Sequence, residues 1–202
     1  MKKLTIMGIL LIFTLALMGC GGDTGNKTAN KMGTQPGDDT KVILTIKGSQ
    51  KEKTFTEADL VALGTQTRQY SGRNKEKNNT RQVRKYTGVD VKTLLKSVGY
   101  GEKGEIINVV CSDGFAKDYA VEDLEKLLSF KDEKEAEGEV VAPMLAIIQE
   151  GDYMGNDKEY KKADGSPLRL VYGQEDYDSE YTKDFNMQGW ASYVKEIKVT
   201  NE

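Results

Sequence analysis

The sequence predicts an α+β domain over residues 41–202, a mixed β-sheet with short inserted helices. Three observations predict it. Segments such as "KVILTIKG" (41–48) alternate apolar and polar side chains at period two. Others, such as "VDVKTLLKSV" (89–98), space apolar residues at helical intervals. The two kinds interleave along the chain, so helices are inserted between strands and no internal repeat is visible.

The elements follow in order. "KVILTIKG" and the "SQKEKTFT" after its Gly-Ser break read as a β-hairpin. Thr56 then opens a short helix, with Asp59 spaced to complete a capping box and Leu60, Val61 and Leu63 as the buried side. "GTQTRQYSG" (64–72) reads as a strand, and the basic "RNKEKNNTRQVRK" (73–85) as a long solvated loop, because it has no apolar period. In "YTGVDVKTLLKSVGYG" (86–101), Val91, Leu94, Leu95 and Val98 share one helical face, with Asp90 as N-cap and Gly99 just past the end.

Next, "EIINVVCSDGFAKDYAVEDLEKLL" gives a strand over 105–112, an Asp113-Gly114 turn and a strand over 115–120. It ends in a helix with Val121, Leu124, Leu127 and Leu128 on one face. "SFKDEKEAEGE" (129–139) is a charged connection, and "VVAPMLAIIQEG" (140–151) is an apolar strand whose Pro143 suggests an edge or a bulge. Loop 152–165, a strand at 166–172, an acidic Tyr-rich loop at 173–189 and a strand at 190–199 complete the domain.

The first forty residues read differently. A basic start (Lys2, Lys3), an apolar run from Leu4 to Met18 and "LMGC" resemble a bacterial lipoprotein signal, residues 1–19, with Cys20 as the acylated residue. Residues 20–40, rich in Gly, Thr, Asn, Asp and Lys, carry too little apolar area to offset the entropy of ordering, and read as a flexible tether. The expected location is therefore extracytoplasmic, anchored to a bacterial membrane through lipid on Cys20.

Composition excludes several chemistries. The formal charge is −3, which together with export argues against a nucleic-acid partner. Histidine is absent, so no Ser-His-Asp triad, Cys-His pair or His-ligated zinc is available, and there is no CxxCH haem site. Once Cys20 is acylated, Cys111 is a lone thiol at the end of a strand, read as a small buried hydrophobe. Asp and Glu are abundant, but no spacing singles out a catalytic pair.

"YTGVDVKTLLKSVG", "VVCSDGFAKDYAVEDL", "DGSPLRLV" and "YVKEIKV", in this order, resemble the molybdopterin-binding domain of the sulfite oxidase family over most of 41–202. The resemblance implies that fold, a molybdopterin cofactor and an oxidoreductase activity. It also implies a cysteine ligand to the metal in a turn ending an earlier strand. The comparable stretch here is "QTRQYSGRN", where Ser71, or Tyr70 beside it, stands in place of a thiol. A hydroxyl ionises far less readily than a thiol, so the resemblance leaves two functions open. One is an oxidoreductase domain whose cofactor retention is in question. The other is a non-catalytic module binding a small molecule or a protein on the same fold. A surface lipoprotein outside that family, serving as a solute receptor or adhesin, is a third reading.

By the same resemblance, Arg169 in "PLRL" and Lys195 in "YVK" stand near the cofactor's phosphate or pterin. Each also has a plain structural reading, Arg169 on the solvent side of its strand and Lys195 as surface charge. Trp190 is read as a core anchor, while Tyr172, Tyr177, Tyr181 and Phe185 either line a cleft or fold back over the core.

Overall fold

A computed structural model describes residues 40–49, 51–74, 80–101, 105–131, 138–150, 152–154, 167–174 and 190–201. The expected signal peptide, Cys20 and most of the tether lie outside these residues. So do Tyr177, Tyr181 and Phe185. Among the described residues no helix is long and apolar enough to cross a membrane.

The chain order opens with β1 (Leu44–Lys47), β2 (Glu52–Phe55), α1 (Glu57–Ala62), β3 (Gln66–Asn74), β4 (Thr80–Asp90) and α2 (Val91–Lys96). It continues with β5 (Glu105–Cys111), β6 (Ala116–Ala120), α3 (Val121–Leu124), β7 (Leu128–Ser129), β8 (Glu139–Val140) and β9 (Met144–Gln149). Then come β10 (Asp152–Tyr153), β11 (Arg169–Val171) and β12 (Val194–Asn201). One sheet runs β2-β1-β12-β5-β6, and the other β10-β9-β4-β3 with β11 also on β9. β7 and β8 pair separately. Within the first sheet β1 and β12 are parallel, Ile46 opposite Ile197, and the other pairs are antiparallel. Mixed sheets with a few short helices make this an α+β fold.

Local chemistry explains most elements. In α1 the Thr56 hydroxyl accepts from the Asp59 N–H while the Asp59 carboxylate accepts from the Thr56 N–H, satisfying two donors that a helix start leaves open. β5 alternates buried and half-buried residues along its whole length, and its inward Ile107, Val109 and Cys111 join Leu44, Ile46 and Ile197 in one continuous core. α2 buries Val91, Leu94 and Leu95 as its spacing predicts.

Four expectations are corrected. The basic stretch 73–85 is not a long loop, since most of it belongs to the β3–β4 hairpin, paired from Gln66↔Gly88 to Asn74↔Thr80. The helix after Ala120 is a single turn, and Leu128 already begins β7, because Leu127 and Leu128 serve a bend and a strand. Pro143 precedes β9, which is an interior strand with β4 on one side and β10 and β11 on the other. The bulge expected in this strand falls at Ile147 and not at Pro143: β4 runs on from Thr87 to Gly88 while their partners on β9 jump from Ile148 to Ala146. Asp90 caps α2 with no side-chain hydrogen bond, because its carboxylate takes both ends of the Arg68 guanidinium.

Candidate functional site

The comparable stretch for a metal ligand lies toward the end of β3, and the structure closes it. Ser71 is fully buried. Its N–H donates to Ser129 Oγ at 2.7 Å, and its hydroxyl oxygen accepts from the Phe130 N–H at 2.8 Å. Ser129 Oγ also reaches Gln69 O at 3.4 Å. β7 is thereby sewn to the edge of β3. Close approach of other backbone to β7 requires Gly173, where a Cβ would stand 2.4 Å from Leu128 O.

Tyr70 is buried too, its hydroxyl donating to Ala142 O at 2.6 Å and its ring edge-on to Tyr86 with centroids 6.2 Å apart. Burial pushes the phenol well above its ordinary pKa, and the neighbouring Arg68 opposes this only in part. Neither hydroxyl is poised to ionise. Replacing Ser71 with alanine strands the buried Phe130 N–H and is expected to lower the unfolding free energy by about 1–3 kcal/mol in urea denaturation.

The other expected site residues stand elsewhere. Half-buried Arg169 on β11 donates through Nε to Ser192 Oγ at 3.0 Å and through Nη1 to Tyr86 Oη at 3.2 Å and Gln149 Oε1 at 3.1 Å. It braces β11 against β9 and β4 and is not on a solvent face, between buried Leu168 and Leu170. Lys195 is exposed on β12, in the other sheet from Ser71 and Arg169. Trp190 and Tyr172 are core residues: the indole N–H donates to Tyr172 O at 2.9 Å, and its ring meets Tyr86 edge-on at 5.5 Å.

Cys111 is fully buried on β5. Burial first, and the Asp113 charge second, push its thiol up to about 12, with Lys195 opposing. A group raised in this way stabilises the fold fully below the ordinary thiol pKa and loses that contribution as pH climbs toward 12. Iodoacetamide at about pH 8 is expected to leave Cys111 unmodified in the folded chain and to label it in urea, read by mass spectrometry. Among the described residues no group of three or more Cys, Asp or Glu side chains could hold a metal ion.

What sequence reasoning missed is a groove along the outer edge of β3, about 620 Å³ in volume. It is lined by residues 67–69 of β3, Lys85 of β4, residues 129–131 at the end of β7 and just beyond it, and residues 139–142. Arg81 stacks on the Phe130 ring, 3.4 Å from its centroid. Of the lining cations, Arg68 pairs with Asp90 and Lys131 with Glu139, while the exposed Lys85 ammonium takes part in no ion pair among the described residues. Ser71, Arg169 and Lys195 do not line this groove. No local signal marks it, since of the basic stretch 73–85 only Lys85 lines the groove.

No family model matches the chain, and no curated protein matches it. Among solved structures, the sulfane dehydrogenase SoxCD from Paracoccus pantotrophus is similar with a TM-score of 0.50 and 17% sequence identity. The match covers 79% of this chain and 38% of that one, so this chain spans well under half of the other's length. At that identity the likeness is one of fold.

Proposed function

We propose that this chain is a lipid-anchored extracytoplasmic domain on a sulfite-oxidase-type fold, and that it works by binding a partner and not by thiolate-held molybdenum chemistry. The sequence motifs and the fold likeness to a sulfane dehydrogenase support the fold. The "LMGC" motif and the polar tether support anchoring through Cys20.

The observation that carries the functional reading is the bonded state of Ser71. A molybdopterin enzyme of this family relies on a soft, ionised sulfur donor reaching the metal. At the comparable place here Ser71 is buried and accepts from a backbone N–H, and Tyr70 is buried and donates to a carbonyl. The one thiol of the described residues, Cys111, lies in the other sheet and stays protonated. The described residues do not fit a thiolate-held metal. What the fold offers instead is the β3 groove, within the range of about 300–1,000 Å³ that suits a ligand site.

The test is metal analysis and pterin fluorescence on protein exported by its natural route. The reading expects molybdenum and pterin well below one per chain; stoichiometric molybdenum together with electron transfer to an acceptor dye would overturn it.

A further inference from the structure

We propose that the groove takes an extended, acidic peptide segment of another protein, which adds to the free edge of β3 as a further strand; this rests on the binding reading above. The backbone carries the argument. Ser71 sends its N–H to Ser129 and not to β4, so its peptide groups face away from the hairpin partner. Residues of an antiparallel strand alternate in this respect, which puts the N–H and C=O of Thr67 and the N–H of Gln69 on the same outer side. The short contact between Thr67 Oγ1 and Thr87 Oγ1, 2.7 Å, agrees: cross-strand side chains come closest in pairs whose peptide groups point apart.

At Ser71 and the Gln69 carbonyl these outward groups are met by Ser129. Toward the start of β3 no such partner stands among the described residues. Among the described residues no backbone–backbone hydrogen bond outside the hairpin reaches Thr67 or the Gln69 N–H, both residues are exposed, and both line the groove. An unpaired strand edge beside a cleft is the geometry of strand addition, in which main-chain bonds supply affinity and alternate side chains supply selectivity.

Charge selects the occupant. Lys85, directly opposite Gln69 across the hairpin, presents an ammonium without an ion-pair partner among the described residues, while Val140 on the facing wall is 60% exposed. A strand with acidic and apolar side chains in alternation meets both. Pairing β3 with β3 of a second copy does not meet the first, because β3, QTRQYSGRN, carries no acidic side chain to set against Lys85. A small inorganic anion can use Lys85 but cannot satisfy donors and an acceptor spaced along a strand.

The test is selection of a random short-peptide display library against the full chain. The proposal expects enrichment of Asp or Glu alternating with apolar residues. A synthesised winner should then protect the Thr67 and Gln69 amides from hydrogen exchange, bind tenfold or more weakly to Lys85→Glu, and lose binding when N-methylated on its strand-pairing side. Lys85→Glu leaves the fold intact, since the side chain is exposed and Lys85 holds Glu150 through its backbone N–H and C=O alone. Acid-free winners, binding indifferent to Lys85→Glu or to N-methylation, unprotected amides, or protection by self-association without peptide would each overturn the proposal. So would inorganic sulfate alone displacing every winner. Each of these failures leaves the molybdenum result, and with it the binding reading, to stand or fall separately.

Discussion

Trp190→Ala is expected to lower the unfolding free energy by about 3–5 kcal/mol, the cost of emptying a large aromatic site in a packed core. The indole is 2% exposed, donates to Tyr172 O and stands edge-on to Tyr86, so it holds β4 against the segment leaving β11. Truncation removes the aromatic pair, leaves a carbonyl without its donor and opens a void next to the Arg169 network through their shared contact, Tyr86. Trp190→Phe should recover most of the packing and lose about 1–2 kcal/mol for the hydrogen bond and the smaller ring. Urea denaturation followed by circular dichroism reads both, because Trp190 is the only tryptophan and its fluorescence goes with it.

Gly88→Ala is expected to cost about 3 kcal/mol or more, for a reason of space and not of backbone conformation. A Cβ there would stand 2.1 Å from Leu145 O and 2.6 Å from the Ala146 Cα, both backbone atoms of β9 that cannot swing aside. The glycine sits where β4 shifts register against β9, so the two strands approach through its missing side chain. Gly64→Ala is the internal control: its φ of +93° is strained for alanine, but nothing lies within 4 Å, so about 1–2 kcal/mol is expected. Thermal or urea unfolding of the two variants side by side separates crowding from strain.

Legibility from the sequence followed the range of the interactions. The β1–β2 hairpin, the Thr56 capping box and the Val91-Leu94-Leu95 face rest on residues a few positions apart, and each was readable. The β3–β4 arm was not, because neither strand beyond Tyr70 and Tyr86 keeps a fully apolar face: Arg81, Gln82, Val83 and Arg84 are half-buried, with Phe130 and β7 as neighbours. Polar residues of that kind read as loop. The parallel pairing of β1 with β12 joins the two ends of the domain, and no local pattern encodes it.

The candidate site divides in the same way. Ser71 and Tyr70 could be singled out by their place in a motif, but their state depends on Ser129, Phe130 and Ala142, some 60 to 70 positions further on. Arg169 between two leucines read equally as a surface residue; only the approach of Gln149, Tyr86 and Ser192 makes it a brace. The groove was invisible because it exists only between a strand edge and a segment that returns to it from β7 and β8.

The central claim is that the end of β3 is a sealed, hydrogen-bonded seam and not an open ligand position. Native-state amide hydrogen exchange at Ser71 and Phe130 tests it most directly, since each N–H is bonded across that seam. The account predicts protection comparable to the interior amides of β4 and β9. Exchange at Ser71 and Phe130 close to the unfolded rate, while β4 and β9 stay protected, would contradict it.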